Sequence, residues 1–234
     1  MIMEKVHISS QYDAELEEIR GRLLHMGGLV EQQVRDALTA YANGDLDLTQ
    51  QVKSVEERVN ALEVEMDDRC NHVIARRQPT AGDLRLVMAV VKAVTDLERV
   101  GDEAAKIARI AFQMHERGVV RLPGFSDVRV ASDIAVGMLK DSLDAFARLD
   151  TEAAGRIVMK DRQIDNEFRS ILRELITFMM EDPRTISTAL DIIWIAKAIE
   201  RVGDHAKNIA EYVIFVAEGT DVRHSQGAVE SALG

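Results

Sequence analysis

The feature of this sequence that most constrains its fold is a six-residue stretch that occurs twice. Leu97-Glu98-Arg99-Val100-Gly101-Asp102 recurs 102 positions later as Ile199-Glu200-Arg201-Val202-Gly203-Asp204, and the similarity continues through Ile107-Ala108 and Ile209-Ala210. Self-similarity at one long period indicates that a chain repeats a single structural unit. We therefore predict a tandem duplication that accounts for most of the 234 residues.

Helix breakers divide each repeat into three segments. The chain has only three prolines, Pro79, Pro123 and Pro183, and a proline in a helix interior costs about 3 kcal/mol. Between the breaks the apolar residues follow helical spacing, and no alternating β-branched run bounded by turn residues indicates a strand. The predicted helices span residues 15–43, 46–76, 84–116, 126–149, 152–180 and 185–217.

Short turns between long helices make neighbouring helices antiparallel. The predicted fold is therefore all-α, with two tandem antiparallel three-helix bundles. We place the first bundle at residues 5–118, a linker at 119–125, the second bundle at 126–219 and a C-terminal tail at 220–234. At the start of the third helix, Thr80 and Asp83 have the spacing of a capping box.

Composition excludes several classes of function. The chain has 29 Lys and Arg against 40 Asp and Glu, a net charge of −11, which argues against binding the phosphate backbone of DNA or RNA. The single cysteine, Cys70, can form no internal disulfide, so we expect a reducing compartment and a buried, apolar thiol. The sequence begins without a signal-peptide pattern and contains no apolar stretch long enough for a membrane span. We therefore expect a soluble, cytoplasmic protein.

Acidic residues four positions apart occur on the second and third predicted helices of both repeats. Such residues share one face of a helix. On the third helices, Glu98 and Asp102 match Glu200 and Asp204 at the offset of 102. On the second helices, we pair Glu63 and Asp67 with Asp161 and Asp165 at an offset of 98, which implies four extra residues in the second repeat near positions 180–182.

Like charges at this spacing destabilise a helix by about 0.2–0.5 kcal/mol, so a compensating cation is expected. One interpretation is a metal ion between the second and third helices of each bundle, and oxygen-only ligands favour Mg²⁺, Mn²⁺ or Ca²⁺, with iron or zinc also compatible. The alternative is a solvated acidic face paired with neighbouring arginines such as Arg99 and Arg201. The predicted ligands are Glu63, Asp67, Glu98 and Asp102 in the first bundle, and Asp161, Asp165, Glu200 and Asp204 in the second.

Gly101 and Gly203 lie inside otherwise strong helices at matching positions. A glycine there costs about 1 kcal/mol relative to alanine. The matching pair indicates that another helix packs closely against each of them.

These motifs, together with Ala75-Arg76-Arg77-Gln78-Pro79-Thr80-Ala81-Gly82-Asp83-Leu84-Arg85, resemble the PhoU family of accessory regulators of bacterial phosphate-specific transport. The resemblance covers residues 5–225 and implies two bundles related by pseudo-twofold symmetry, commonly in a homodimer. It implies that the acidic motifs bind metal in some members. It also implies repression of the phosphate-starvation regulon through contacts with the phosphate ABC transporter ATPase and a sensor histidine kinase, without catalytic activity.

Two other functions are compatible with a helical bundle. A carboxylate-bridged di-iron oxidoreductase would need Glu-x-x-His on two helices. None of the six predicted helices contains that spacing, and the nearest pair, Glu200 and His205, is five positions apart. A metal-independent scaffold would share the fold and the partners and would differ only at the acidic pairs.

The segment 75–85 is basic against an acidic background, with Arg76, Arg77 and Arg85 against Asp83. It is a candidate surface for a protein partner. In the alternative interpretation, its arginines complement the carbonyl groups at a helix C-terminus.

Overall fold

The computed structural model describes residues 10–118 and 125–222, and these form six long α-helices without any strand. The predicted all-α fold is confirmed, and helix boundaries agree within five residues. The predicted linker and tail lie, apart from residues 125 and 220–222, outside the described residues. No helix in the described ranges is both long and apolar enough to cross a bilayer. The helices are α1 (Ser10–Asn43), α2 (Leu46–Arg77), α3 (Ala81–Glu116), α4 (Phe125–Arg148), α5 (Thr151–Glu181) and α6 (Ile186–Glu218), with a 3-10 turn at Pro183–Thr185.

Aspartate side chains cap the second helix of both bundles. Asp45 Oδ1 accepts hydrogen bonds from the amides two and three residues later, at 3.0 and 3.1 Å. Asp150 Oδ1 accepts one from the amide three residues later, at 2.9 Å. These bonds satisfy amides that have no partner inside the helix, and a cap of this kind contributes about 1 kcal/mol.

The start of α3 differs from the prediction. Thr80 occupies the N-cap position with an extended backbone, but its side chain makes no capping hydrogen bond. The first turn closes instead through the Asp83 amide, which donates to the Thr80 carbonyl oxygen at 3.1 Å. The predicted capping box is therefore wrong, and α3 is stabilised mainly by the burial of its long apolar face.

The two bundles pack side by side through their third helices, α3 and α6, which run antiparallel. Arg201 on α6 forms an ion pair with Glu103 on α3. Arg117, just beyond the C-terminal end of α3, forms an ion pair with Asp191 near the N-terminal end of α6. Helices α1 and α4 extend this interface, since Gly27 on α1 packs directly against α4. The buried apolar side chains of all six helices form one continuous core.

Candidate metal-binding site

The two repeated glycines show how the second helices of the repeats correspond. A Cβ atom on Gly101 would lie 3.5 Å from Val59 Cγ1, and one on Gly203 would lie 2.9 Å from Ile164 Cδ1. Each glycine therefore lets the third helix of its bundle approach the second, which confirms the packing interpretation. Val59 and Ile164 are 105 positions apart, the same separation as the two capping aspartates.

The predicted alignment of the second helices is therefore wrong. Their offset is 105 rather than 98, and it falls to 102 at the third helices, so the second repeat is three residues shorter there instead of four longer. Seven residues are about two helical turns, so the wrong alignment still compares residues on the same face of the helix. The true counterparts on α2 and α5 are Glu56 and Asp161, Asn60 and Asp165, Glu63 and Phe168, and Asp67 and Leu172.

Four carboxylates of the first bundle lie along the seam between α2 and α3. We call Glu56, Glu63, Glu98 and Asp102 the first acidic cluster. Burial raises the pKa of Glu98, and Asp102 and Glu63 raise it further. The pKa of Glu56 is raised by burial and by Asp102, and that of Glu63 is raised by burial and by Asp67. Asp67, the remaining predicted ligand of this bundle, is exposed at the edge of the cluster.

Arg99 provides only loose compensation for this cluster. Its guanidinium lies 3.4 Å from Glu98 Oε2 and 3.7 Å from Asp102 Oδ2, and its side chain is 57% exposed. Exposed ion pairs of this kind stabilise a protein by about 0–1 kcal/mol. Glu98 Oε2 is shielded from solvent and accepts no hydrogen bond. A buried carboxylate oxygen without a donor is a position that a cation could satisfy.

The second acidic cluster lies between α5 and α6 and consists of the four predicted carboxylates, Asp161, Asp165, Glu200 and Asp204. Burial raises the pKa of Asp204 to about 6, and the nearby Glu200 and Asp161 add to the effect. Two lysines enter this cluster. Lys207 Nζ donates to Asp161 Oδ2 at 2.6 Å, and Lys197 Nζ forms an ion pair with Glu200.

The donor chemistry of both clusters suits a hard divalent cation, which prefers carboxylate oxygens. However, within residues 10–118 and 125–222 no three His, Cys, Asp or Glu side chains converge closely enough to hold a metal ion. In the first cluster Glu98 Oε2, which has the ion pair with Arg99 but no hydrogen bond, fits a cation, and binding would require the carboxylates to turn toward each other. In the second cluster two of the four carboxylates already bond to lysines. Metal binding by the eight predicted ligands stays a prediction.

A groove of about 630 Å³ opens beside the first cluster. Glu56 and Asp102 line it together with four basic residues, Lys53, Lys106, Arg109 and Arg201. Lys53 and Arg109 lower the pKa of Glu56 against the effect of burial. Sequence analysis missed Glu56 because it belongs to neither of the paired motifs that we chose on the second helices. The offset of 105, read from the two capping aspartates, would have identified it.

A second group that sequence analysis missed is the buried Asp96 at the centre of the interface between α3 and α6. One of its oxygens lies 2.7 Å from His205 Nδ1 and accepts from Asn208 Nδ2 at 2.9 Å. The other accepts from the Tyr212 hydroxyl at 2.7 Å. All three partners belong to α6, so one carboxylate of the first bundle connects three side chains of the second.

The basic segment 75–85 is mostly committed to contacts within the fold. Arg77 donates two hydrogen bonds to Glu15 on α1, at 2.8 and 2.6 Å. The Arg85 guanidinium lies against the C-terminal cap of α6, 3.5 Å from the Cβ position of Gly219. Of the three arginines of the segment, Arg76 is the exposed one. These contacts favour the structural interpretation of the segment.

Cys70 is fully buried, as predicted. Burial raises the pKa of its thiol to about 11. The thiolate is the reactive form of cysteine, so this side chain acts as an apolar group of the core.

Similarity to known proteins extends over both bundles. The PhoU domain family matches residues 23–111 and 128–213. A phosphate-specific transport system accessory protein PhoU homolog of Pseudomonas putida is 52% identical over 93% of this chain and 85% of its own length. The accessory protein PhoU of Escherichia coli K12 is 45% identical over 94% of this chain and 91% of its own. The crystal structure of PhoU from Pseudomonas aeruginosa superimposes with a TM-score of 0.87 and 48% identity, over 89% of this chain and all of that one. The chain belongs to the PhoU family.

Proposed function

We propose that this protein is a regulatory accessory protein of phosphate-specific transport. It acts in the cytoplasm, as a homodimer and without catalysis, as an adaptor that contacts the phosphate ABC transporter ATPase and a sensor histidine kinase. When phosphate is plentiful, these contacts repress the phosphate-starvation regulon. The protein approaches the membrane only through its partners and binds no nucleic acid.

The observation that carries this proposal is the extent of the similarity. Relatives named as accessory proteins of phosphate-specific transport match both bundles at 45–52% identity. The two bundles share one core through α3 and α6. Relatives that match the whole chain should therefore have the same relative placement of the bundles, and with it any role that depends on that placement. The net charge of −11 agrees with protein partners rather than nucleic acid.

The hairpin formed by α5 and α6 offers a surface for a partner. Met180 is 80% exposed and Trp194 is 54% exposed. Exposed apolar side chains that occur together indicate a protein contact more than scattered ones do. The exposed apolar residues of this hairpin end are Ile176, Met180, Ile186, Leu190 and Trp194.

We also propose that the first acidic cluster binds a divalent cation between α2 and α3. Glu56, Glu98 and Asp102 would hold it, with Glu63 within reach. A bound ion would add positive charge to these partly buried carboxylates and would hold the two helices together. The shielded Glu98 Oε2, which accepts no hydrogen bond and has only the loose ion pair with Arg99, supports this part of the proposal.

A deletion strain carrying a reporter for phosphate-regulated expression tests the regulatory role. We expect the reporter to be active at high phosphate in the deletion strain and repressed again by the wild-type gene. Met180→Ser/Leu190→Ser should fail to restore repression and should lose the ATPase or the kinase in pull-downs. Val64→Ser, which removes a 64% exposed valine from α2, is the matched control. Unchanged reporter activity and phosphate uptake in the deletion strain would refute the proposal.

The same strain separates a metal-dependent regulator from a metal-independent scaffold. Glu56→Gln/Glu98→Gln/Asp102→Asn should abolish metal retention in elemental analysis and weaken repression. Glu57→Gln/Asp68→Asn/Asp144→Asn removes three exposed acidic charges outside the cluster and is the control. Full repression by the first variant, despite lost metal, would favour the scaffold.

A further inference from the structure

We infer that Lys197 and Lys207 are internal counter-ions that replace a metal ion in the second acidic cluster, so that divalent-cation binding in this chain is confined to the first. The contacts of the two lysines carry their role as counter-ions, and the confinement of metal binding to the first cluster rests on the cation site proposed above.

The two lysines bond directly to the carboxylates that a metal would need. Lys207 Nζ lies 2.6 Å from Asp161 Oδ2 and so occupies one oxygen of this buried carboxylate, whose other oxygen, Oδ1, is buried without a hydrogen bond. Lys197 forms an ion pair with Glu200, whose side chain is only 11% exposed. The 2.6 Å bond between Lys207 and Asp161 is a charge-assisted hydrogen bond, and such bonds are stronger than those between neutral groups. A metal ion would have to break both contacts and then lie beside two ammonium groups.

The first bundle has no equivalent of either lysine. At the offset of 102, the counterpart of Lys197 is Thr95 and the counterpart of Lys207 is Ala105. No lysine therefore enters the first cluster from these positions, and its described ion pairs come from the exposed Arg99 alone. The seam between the second and third helices thus has two lysines bonded to its carboxylates in the second bundle, and the described ion pairs of the first cluster include no lysine.

A second position changes in the same direction. Lys197 Nζ lies 5.4 Å from the centroid of the Phe168 ring, and the counterpart of Phe168 is Glu63 of the first cluster. An aromatic face attracts the ammonium group and holds it near Glu200. At this position the second bundle therefore has an aromatic ring that attracts a lysine, where the first bundle has a carboxylate.

The space around the clusters differs as well. The first cluster borders the open groove, and Ala105 lines that groove. In the second bundle Lys207 stands at the position of Ala105, and Val158 and Glu211 stand at the positions of Lys53 and Arg109. The groove opens the first cluster to solvent, although Lys53, Lys106, Arg109 and Arg201 also line it. At the equivalent position of the second bundle, the longer Lys207 side chain replaces Ala105.

Manganese binding to the full-length chain tests the inference. All variants carry Glu56→Gln/Glu98→Gln/Asp102→Asn, which remove the proposed cation ligands of the first cluster, so that any bound ion reports on the second cluster. After removal of metals with a chelator, Mn²⁺ is titrated and the free ion is followed by its electron paramagnetic resonance signal. We expect no bound ion in this background and one bound ion per chain after Lys197→Met/Lys207→Met is added. Lys197→Arg/Lys207→Arg, which keeps both positive charges, should bind none.

Two results would overturn the inference. The first is a bound Mn²⁺ in the parent background that disappears when Asp161→Asn/Asp204→Asn is added. The second is a folded Lys→Met variant, verified by circular dichroism, that still binds none. If the double variant fails to fold, Lys197→Gln/Lys207→Gln replaces it, because it removes both charges and keeps polar side chains at both positions.

The otherwise wild-type chain separates this inference from the cation proposal. Asp161→Asn/Asp204→Asn alone should leave the Mn²⁺ content unchanged, and a decrease contradicts the inference. Absence of Mn²⁺ from the wild-type chain would end the proposal for the first cluster, while the Lys→Met variants would still decide the role of the lysines.

Discussion

The two bundles agree in the residues that shape their backbones and differ in the residues that balance their charges. Each has an aspartate cap at the start of its second helix and a glycine at which the third helix meets the second. Yet two carboxylates of the second cluster are bonded to Lys197 and Lys207, whereas those of the first cluster face the exposed Arg99 and an open groove.

The interface between the bundles is also one-sided. Asp96 on α3 connects to three side chains of α6, but the residue at the equivalent position of α6 is Ala198. A duplicated fold can keep its backbone constraints while each copy changes its polar contacts, because caps and close packing depend on few positions.

The largest effect is expected at the one-sided interface. Asp96→Ala should lower the free energy of unfolding by about 2–4 kcal/mol, because the buried donors of α6 lose a charged acceptor. Urea unfolding followed by circular dichroism measures the change. Asp144→Ala, at an exposed aspartate of α4, is the control and should stay within about 0.5 kcal/mol of the wild type. A loss below about 1 kcal/mol for Asp96→Ala would mean that the apolar packing of α3 and α6 suffices for the interface.

The helices could be predicted from the sequence because their boundaries depend on local signals. Asp45 and Asp150 act as caps wherever the flanking residues are helical, and Pro79 and Pro183 stop a helix in any context. The repeated glycines could be interpreted as packing sites for the same reason. Thr80 shows the limit, since a capping residue in the right place does not ensure a capping bond.

The site could be predicted only in part because it depends on the alignment of two helices. Acidic or amide side chains recur along one face of α2 at positions 56, 60, 63 and 67, so an alignment shifted by two turns still pairs carboxylates with carboxylates. The bond between Lys207 and Asp161 joins residues 46 positions apart on different helices. Periodicity identifies the face on which such residues lie but not which of them meet.

A smaller difference is expected between the two repeated glycines. Gly203→Ala should lower the free energy of unfolding by about 1–2 kcal/mol, because the new Cβ would lie 2.9 Å from Ile164 Cδ1 in a fully buried site and the overpacking exceeds the gain in helix propensity. At Gly101 the neighbours are Gln33 Oε1 at 3.1 Å and Val59 Cγ1 at 3.5 Å.

Gly101→Ala should therefore change stability by less than about 0.5 kcal/mol, since the propensity gain offsets the mild crowding. Thermal and urea unfolding of both variants give the comparison. Equal losses at the two positions would show that the seams are packed equally tightly, despite their different side chains.

The smallest effect concerns the charge of the second cluster and its dependence on pH. The pKa of Asp204 is about 6 in the folded protein, against 3.8 for a free side chain. The folded state therefore keeps a proton that the unfolded state loses, so this residue lowers stability as the pH rises from about 4 to 6, and the loss is complete above 6. Such a shift corresponds to about 3 kcal/mol for a fully shielded group, and solvent reaching this half-buried carboxyl reduces our expectation to about 1 kcal/mol.

Asp204→Asn should accordingly raise the free energy of unfolding by about 1 kcal/mol at pH 7 and have little effect at pH 4, measured in the presence of a chelator. Asp102→Asn is the matched variant in the first bundle. If the free energy of unfolding changes with pH in the same way in Asp204→Asn and in the wild type, Lys197 and Lys207 already cancel the repulsion at Asp204. The lysines would then compensate the negative charge of the second cluster fully. The difference in charge compensation between the two clusters would be larger than their contacts indicate, and the second cluster would have no uncompensated charge to attract a metal ion.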